Sequence, residues 1–141
     1  MPILNYTTKV PVNRTMAQIQ DKLAKAGARG ILCEYDTSGE PSQITFSIET
    51  PQGVVYFKLP ANVQGVSKVL SDQNKYKDES HARRVAWRIL KDWVEAQLAI
   101  IEAGMAELSQ VFLPYAQTGT GETFYEVVKS DKLLIGSSVN D

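Results

Sequence analysis

The chain has 141 residues, 43% hydrophobic and 22% charged, with a formal net charge of −1 and a pI near 5.9. That is the length of one ordinary domain, residues 1–141, with enough apolar material for a real core. The near-neutral balance argues against a dedicated duplex-DNA binder, which needs a strong positive excess to meet the phosphates.

The single cysteine, Cys33, excludes an intrachain disulfide and a thiolate cluster for zinc or iron–sulfur, and one thiol fits a reducing cytoplasm. It lies in an apolar, strand-like run and reads as a core thiol. No basic region followed by a long apolar stretch opens the chain, so no secretory signal is expected. No run of about 18 apolar residues exists, so no membrane-spanning helix is expected either.

In chain order, residues 4–12 predict a first strand, because Tyr6, Thr7, Thr8, Val10 and Val12 are strand formers. A short amphipathic helix follows, capped by Asn13 or Thr15, carrying Met16, Ile19, Leu23 and Ala26 at helical spacing and stopped by Gly27 and Gly30. Residues 31–35 predict the next strand, and the run from Asp36 to Pro41 is a dense turn signal. Residues 43–49 alternate, with Ile44, Phe46 and Ile48 on one side and Thr45, Ser47 and Glu49 on the other. After a turn at residues 50–53 the chain returns over residues 54–59, with Val55, Phe57 and Leu59 facing one way. Residues 62–70 predict a short helix, and residues 80–112, roughly thirty without a proline, predict a single rod of about 45 Å that Pro114 ends. The tail carries a Gly-Thr-Gly loop, a helical turn at residues 123–129 and an apolar patch at residues 133–135. The predicted fold is therefore α+β: an antiparallel meander of about four strands packed by a short N-terminal helix and one long C-terminal helix.

The long helix carries two neighbouring apolar lines, one through Val85, Ile89, Trp93, Ile100 and Leu108 and one through Trp87, Leu90, Val94, Leu98, Ile101, Met105 and Phe112. That sector is wider than the meander can cover, which predicts a homo-oligomer that uses this helix. Ala96, Ala99, Ala103 and Ala106, with Gly104 beside them, form a small-residue strip suited to close helix packing.

Charge is distributed unevenly along the same stretch. Lys75, Lys77, Arg83, Arg84, Arg88 and Lys91 outnumber Asp78, Glu79 and Asp92, whereas Glu95, Glu102 and Glu107 are unopposed further on. This order runs against the helix dipole, which favours anions at the start and cations at the end. Cations gathered beside free N–H groups are how proteins hold phosphate or carboxylate. Tyr76, Arg83, Arg84, Trp87 and Arg88 are the candidate ligand-binding residues, with the aromatic rings, and His81 nearby, available to stack on a base. A solvated basic face is the plainer reading of the same residues.

Catalytic chemistry is thin. His81 is the one histidine, so neither a His-rich metal site nor a two-histidine phosphoesterase is available, and no Gly-x-Ser-x-Gly elbow exists. The run Thr118-Gly119-Thr120-Gly121-Glu122 lacks the Gly-Lys-Ser/Thr ending of a phosphate loop and reads as a surface turn. The carboxylates are scattered singly. No catalytic residue, metal site or cofactor is predicted.

The stretch from Arg83-Arg84-Val85-Ala86-Trp87-Arg88-Ile89-Leu90-Lys91-Asp92-Trp93-Val94-Glu95-Ala96-Gln97-Leu98 to Val111-Phe112-Leu113-Pro114-Tyr115-Ala116 resembles a family of small proteins encoded in bacteriophages and prophages. The opening Asn5-Tyr6-Thr7-Thr8 and Val10-Pro11-Val12 are similar too, so the likeness spans most of the chain. That resemblance implies a phage protein at work in a bacterial host cytoplasm and transfers no residue roles. The expectation is a non-enzymatic, oligomeric protein that sequesters a small nucleotide-derived defence signal, an analogy of design and not of motif. A nucleic-acid or recombination accessory protein and an inhibitor of a host protein are the alternatives.

Overall fold

The computed structural model describes residues 1–130, and the apolar patch at 133–135 lies outside them. The first described element is a helix. Residues 4–7 form turns, with Asn5 at φ 64°, and α1 begins at Val12 and runs to Lys25. The strand expected over residues 4–12 is therefore absent. Ile3 and Tyr6 pack on a cluster of helical side chains, and short-range bonds from Tyr6 N to Ile3 O and from Thr8 N to Asn5 O serve this backbone where a ladder would have. Burial of two side chains outweighs β-propensity, which is a weak local preference. Asn13 and Thr15, expected as caps, lie inside α1, while Pro11 occupies the cap position and no side chain bonds the helix start. Gly27, at φ 108°, ends the helix as expected.

The meander has three strands, not about four: β1 (Gly30–Tyr35), β2 (Pro41–Thr50) and β3 (Gly53–Pro60), antiparallel in the order β1-β2-β3. Register puts Ile31, Phe46 and Phe57 in one row and Cys33, Ile44 and Leu59 in the next. These rows face Met16, Ile19 and Leu23 of α1, and the alternation of residues 43–49 and 54–59 is the one the sequence predicts. Cys33 is half-buried and accepts a hydrogen bond from Gln20 Nε2.

Helix α2 (Val63–Asp72) is capped by Asn62, whose Oδ1 accepts from Gly65 N at 3.0 Å. Helix α3 covers Glu79–Glu102 and then stops, so the expected rod of residues 80–112 is two helices. Gly104, at φ 75°, turns the chain: its N–H bonds Ile101 O, and Met105 N bonds Ile100 O, the paired bonds of a Schellman stop. Gly104 thus ends a helix and does not sit inside a packing strip, and Ala103 and Ala106 lie beyond α3 as well. Glu107 and Gln110 form a reciprocal capping box that starts α4 (Leu108–Phe112).

Turning back places Phe112 in the core, edge-on to Phe46 at 5.3 Å and to Trp93 at 5.5 Å. A single 3₁₀ turn (Leu113–Tyr115) and α5 (Phe124–Ser130) complete the described chain, the latter where residues 123–129 predict a helical turn. Helix α3 is amphipathic towards two neighbours. Trp87 and Val94 join the core above the sheet, while Ala82, Val85 and Ala86 pack with Val66 and Leu70 of α2. The broad apolar sector is thus divided between two cores within one chain.

Candidate functional site

The basic stretch lies where α3 begins. Asp78 caps it: Oδ1 accepts from His81 N at 2.7 Å, and Glu79 at the first position accepts from Ser67 Oγ. The N–H groups expected to be free at this start are therefore served in part by a carboxylate, which also suits the helix dipole.

Helical geometry sorts the candidates. His81, Arg84 and Arg88 recur at i, i+3 and i+7 and share one face, whereas Arg83 and Trp87, at i and i+4, point to another. The first face meets α1. Arg88 Nη1 donates to Gln18 Oε1 at 2.6 Å and reaches Thr15 Oγ1 at 3.4 Å, and Lys22 pairs with Glu95 at 2.9 Å. Thr15 with Arg88 and Lys22 with Glu95 rise together in sequence, so α1 and α3 run side by side in the same direction. One turn back from Thr15 and Arg88, helical spacing puts Pro11 and Arg84 at corresponding positions. The start of α1 there has neither a capping side chain nor an acidic residue in its first turn.

His81 is 2% exposed, and neither ring nitrogen has a partner among the described residues. Among the described residues Arg84 Nε is buried and without a partner, and no carboxylate lies within 4.0 Å of the Arg84 guanidinium. The nearby acids are engaged elsewhere. Asp92 accepts from Asn5 Nδ2 at 2.8 Å, and Glu95 is shared by Lys22 and Lys91. Those two lysines hold the Glu95 carboxyl below its ordinary value of 4.5 through hydrogen bonds and charge.

The remaining candidates go elsewhere. Arg83, its side chain 15% exposed, turns towards the β1–β2 turn, where Glu40 lies at 4.0 Å. Trp87 is wholly buried in the main core, so its ring is packing material with no free face for a ligand. Tyr76 precedes α3 and is 45% exposed. The structure therefore brings together Arg84 and Arg88, adds His81 as a buried member of the group, and separates Arg83 and Trp87 from it. The i, i+3, i+7 spacing was the available signal for His81.

Among the described residues no three His, Cys, Asp or Glu side chains gather as a metal site, and no helix is long and apolar enough to cross a membrane. Fold and site together define a small α+β protein: a three-stranded antiparallel meander under helices, with His81, Arg84 and Arg88 on one face of α3 and Arg88 meeting α1. Comparison with protein families, with curated proteins and with solved structures finds no match to this chain.

Proposed function

We propose that this chain is a non-enzymatic binding protein whose His81–Arg84–Arg88 face holds a small anionic, nucleotide-derived ligand. One observation supports the reading: partly buried guanidiniums and a buried imidazole share a face on which, among the described residues, no carboxylate pairs with them. Buried charge is ordinarily paired, because leaving it unpaired costs several kcal/mol or about that order. An anion entering between α1 and α3 would supply the missing partner and meet the uncapped start of α1 as well. Tyr76, exposed just before α3, would offer its ring to a base in this reading.

Resemblance to phage-encoded proteins suggests the setting, a bacterial host cytoplasm, in which such a ligand would be a defence signal removed from circulation. Association of copies through α3 belongs to the same proposal, supported by the exposed Ala96 and Ala99 and by Met105 just beyond the helix.

The test is thermal unfolding of the full chain with ADP-ribose, cyclic dinucleotides and ATP, with a single-stranded oligonucleotide for comparison. A ligand at about 100 times its Kd should add about 2.7 kcal/mol, or a shift of several degrees. Arg84→Gln should remove the response. A response to oligonucleotide alone that collapses with salt would favour the nucleic-acid reading. Arg84→Gln and Arg88→Lys behaving like the parent towards every nucleotide would overturn the site.

A further inference from the structure

The sheet has a second face, turned away from the helices, and the chain returns to it after the 3₁₀ turn. Ala116 bridges Phe57 on the free side of β3, Gln117 N bonds Tyr56 O at 2.7 Å, and Gln117 pairs with Thr123. Between them the glycine-rich run closes on itself: Thr118 N and Oγ1 both bond Glu122 O, and Gly121 N bonds Thr118 O. This loop has no phosphate-binding ending, but it walls a cavity of about 510 Å³ whose floor is the outer face of the sheet.

Two opposite charges line that cavity, and each is tethered to a neutral group. Glu34 Oε1 accepts from Gln43 Nε2 at 2.6 Å and from Thr45 Oγ1 at 3.1 Å, so its position is fixed while Oε2 has no hydrogen bond among the described residues. Lys58 Nζ donates to Gly121 O at 3.3 Å, which uses one of its three protons. Glu34 is opposite Gln43, and Thr45 is opposite Lys58, so the two residues stand two strands and two positions apart, about 12 Å between Cα atoms. Glu126, which lines a neighbouring cavity together with Lys58, is held below its ordinary value mainly by its hydrogen bonds with Thr123 and to a lesser degree by the Lys58 charge. Beside this separated pair lie Leu32, 58% exposed, and Tyr56, 51% exposed, both apolar surfaces open to the cavity.

A fixed carboxylate and a fixed ammonium, held apart beside apolar surface, are complementary to a molecule that carries both charges at one end and an apolar group at the other. A simple cation would meet Lys58, and a simple anion would meet Glu34, so neither is favoured. We propose that this cavity binds a free α-amino acid with an apolar or aromatic side chain. Its ammonium donates to Glu34 Oε2, its carboxylate accepts from Lys58 Nζ, and its side chain lies over Leu32 and Tyr56. This site is independent of the arginine–histidine face between α1 and α3.

Three related probes separate the contributions: L-phenylalanine, phenethylamine, which lacks the carboxylate, and 3-phenylpropionate, which lacks the ammonium. Titrated into the isotope-labelled full chain, L-phenylalanine should shift the amides of Thr118, Gly119 and Gly121. It should bind at least about ten-fold more tightly than either half-probe, because a site built for a polar group rejects the analogue lacking it. Glu34→Gln keeps an acceptor for Gln43 and Thr45, so the loop and sheet should give parental spectra. It should lower L-phenylalanine to the affinity of phenylpropionate, while Lys58→Met should lower it to that of phenethylamine. No shift at about 10 mM L-phenylalanine, an affinity weaker than about −3 kcal/mol, would overturn the proposal. Half-probes that bind as tightly as the amino acid, or variants that bind it as the parent does, would overturn it too.

Discussion

Gly104 offers a test in which two readings of one stretch predict opposite signs. In a continuous helix over residues 80–112, Gly104→Ala would replace the freest residue by the best helix former and stabilise the protein by about 1 kcal/mol. In the structure Gly104 stands just past α3 at φ 75°, where an added Cβ meets nothing within 4 Å. The effect is therefore conformational and not steric. Alanine in the left-handed region costs about 1–2 kcal/mol, and its reduced freedom in the unfolded chain returns about 0.4–1 kcal/mol. The net expectation is a loss of about 0.5–1.5 kcal/mol.

Urea unfolding resolves the difference. With a slope of about 2 kcal/mol per molar, a loss of about 1 kcal/mol lowers the midpoint by about 0.5 M at unchanged slope. Gly104→Asn serves as the control, since asparagine tolerates the left-handed region and should lose less than alanine. A midpoint that rises in Gly104→Ala would refute the Schellman stop and restore the single rod.

Phe112→Ala should cost about 3–5 kcal/mol in the same assay, because the ring is fully buried against Phe46, Phe57 and Trp93, and a smaller loss would mean that α4 does not fold back. Glu95→Gln should lower stability by less than about 1 kcal/mol at neutral pH, since the pairs with Lys22 and Lys91 are partly exposed. Because the folded carboxyl lies below 4.5, that contribution is whole above this value and is lost as pH falls through the folded one, so the parent and variant curves should converge in acid. Arg84→Met should leave the melting temperature of the unliganded protein unchanged or higher, because it removes a charge that has no partner among the described residues, and a large loss would reveal a compensating contact.

The meander was legible because its physics is local. Alternation at 43–49 and 54–59, with turn residues between, fixes which side chains face the helices, and the register follows from the tight turn at Thr50–Gly53. Residues 4–12 were not legible, since Ile3 and Tyr6 are held by α2 and α3, contacts that no window of nine residues contains. The break in the long helix lay between these cases. The absence of proline suggested a rod, yet Gly104 followed by the Glu107–Gln110 box is a stop and a start in three residues' space. At the candidate site, the direction each arginine takes follows from helical spacing, which separates Arg83 from Arg84 by about 100°. The burial of His81 and the direction of α1 relative to α3 are tertiary facts.

Two stabilising opportunities are left unused in one place, and that coincidence is the strongest support for a ligand between α1 and α3. Asp92 and Glu95 lie about two to three turns beyond Arg84 on the same helix, yet among the described residues no carboxylate pairs with the Arg84 or His81 side chain. The start of α1, one turn before the residues that meet Arg88, carries proline where Ser, Thr, Asp or Asn would contribute about 1 kcal/mol as a cap. Pro11→Asp would supply a capping oxygen for α1 and, at the level that helical spacing gives Arg84, an anion. It should stabilise the unliganded protein by up to about 1 kcal/mol, less the ordering lost with proline, about 0.4–1 kcal/mol. The same carboxylate should abolish the thermal response to nucleotides, because it occupies the position their phosphates would take. A variant that folds as the parent does and still responds fully would place any ligand somewhere other than this face.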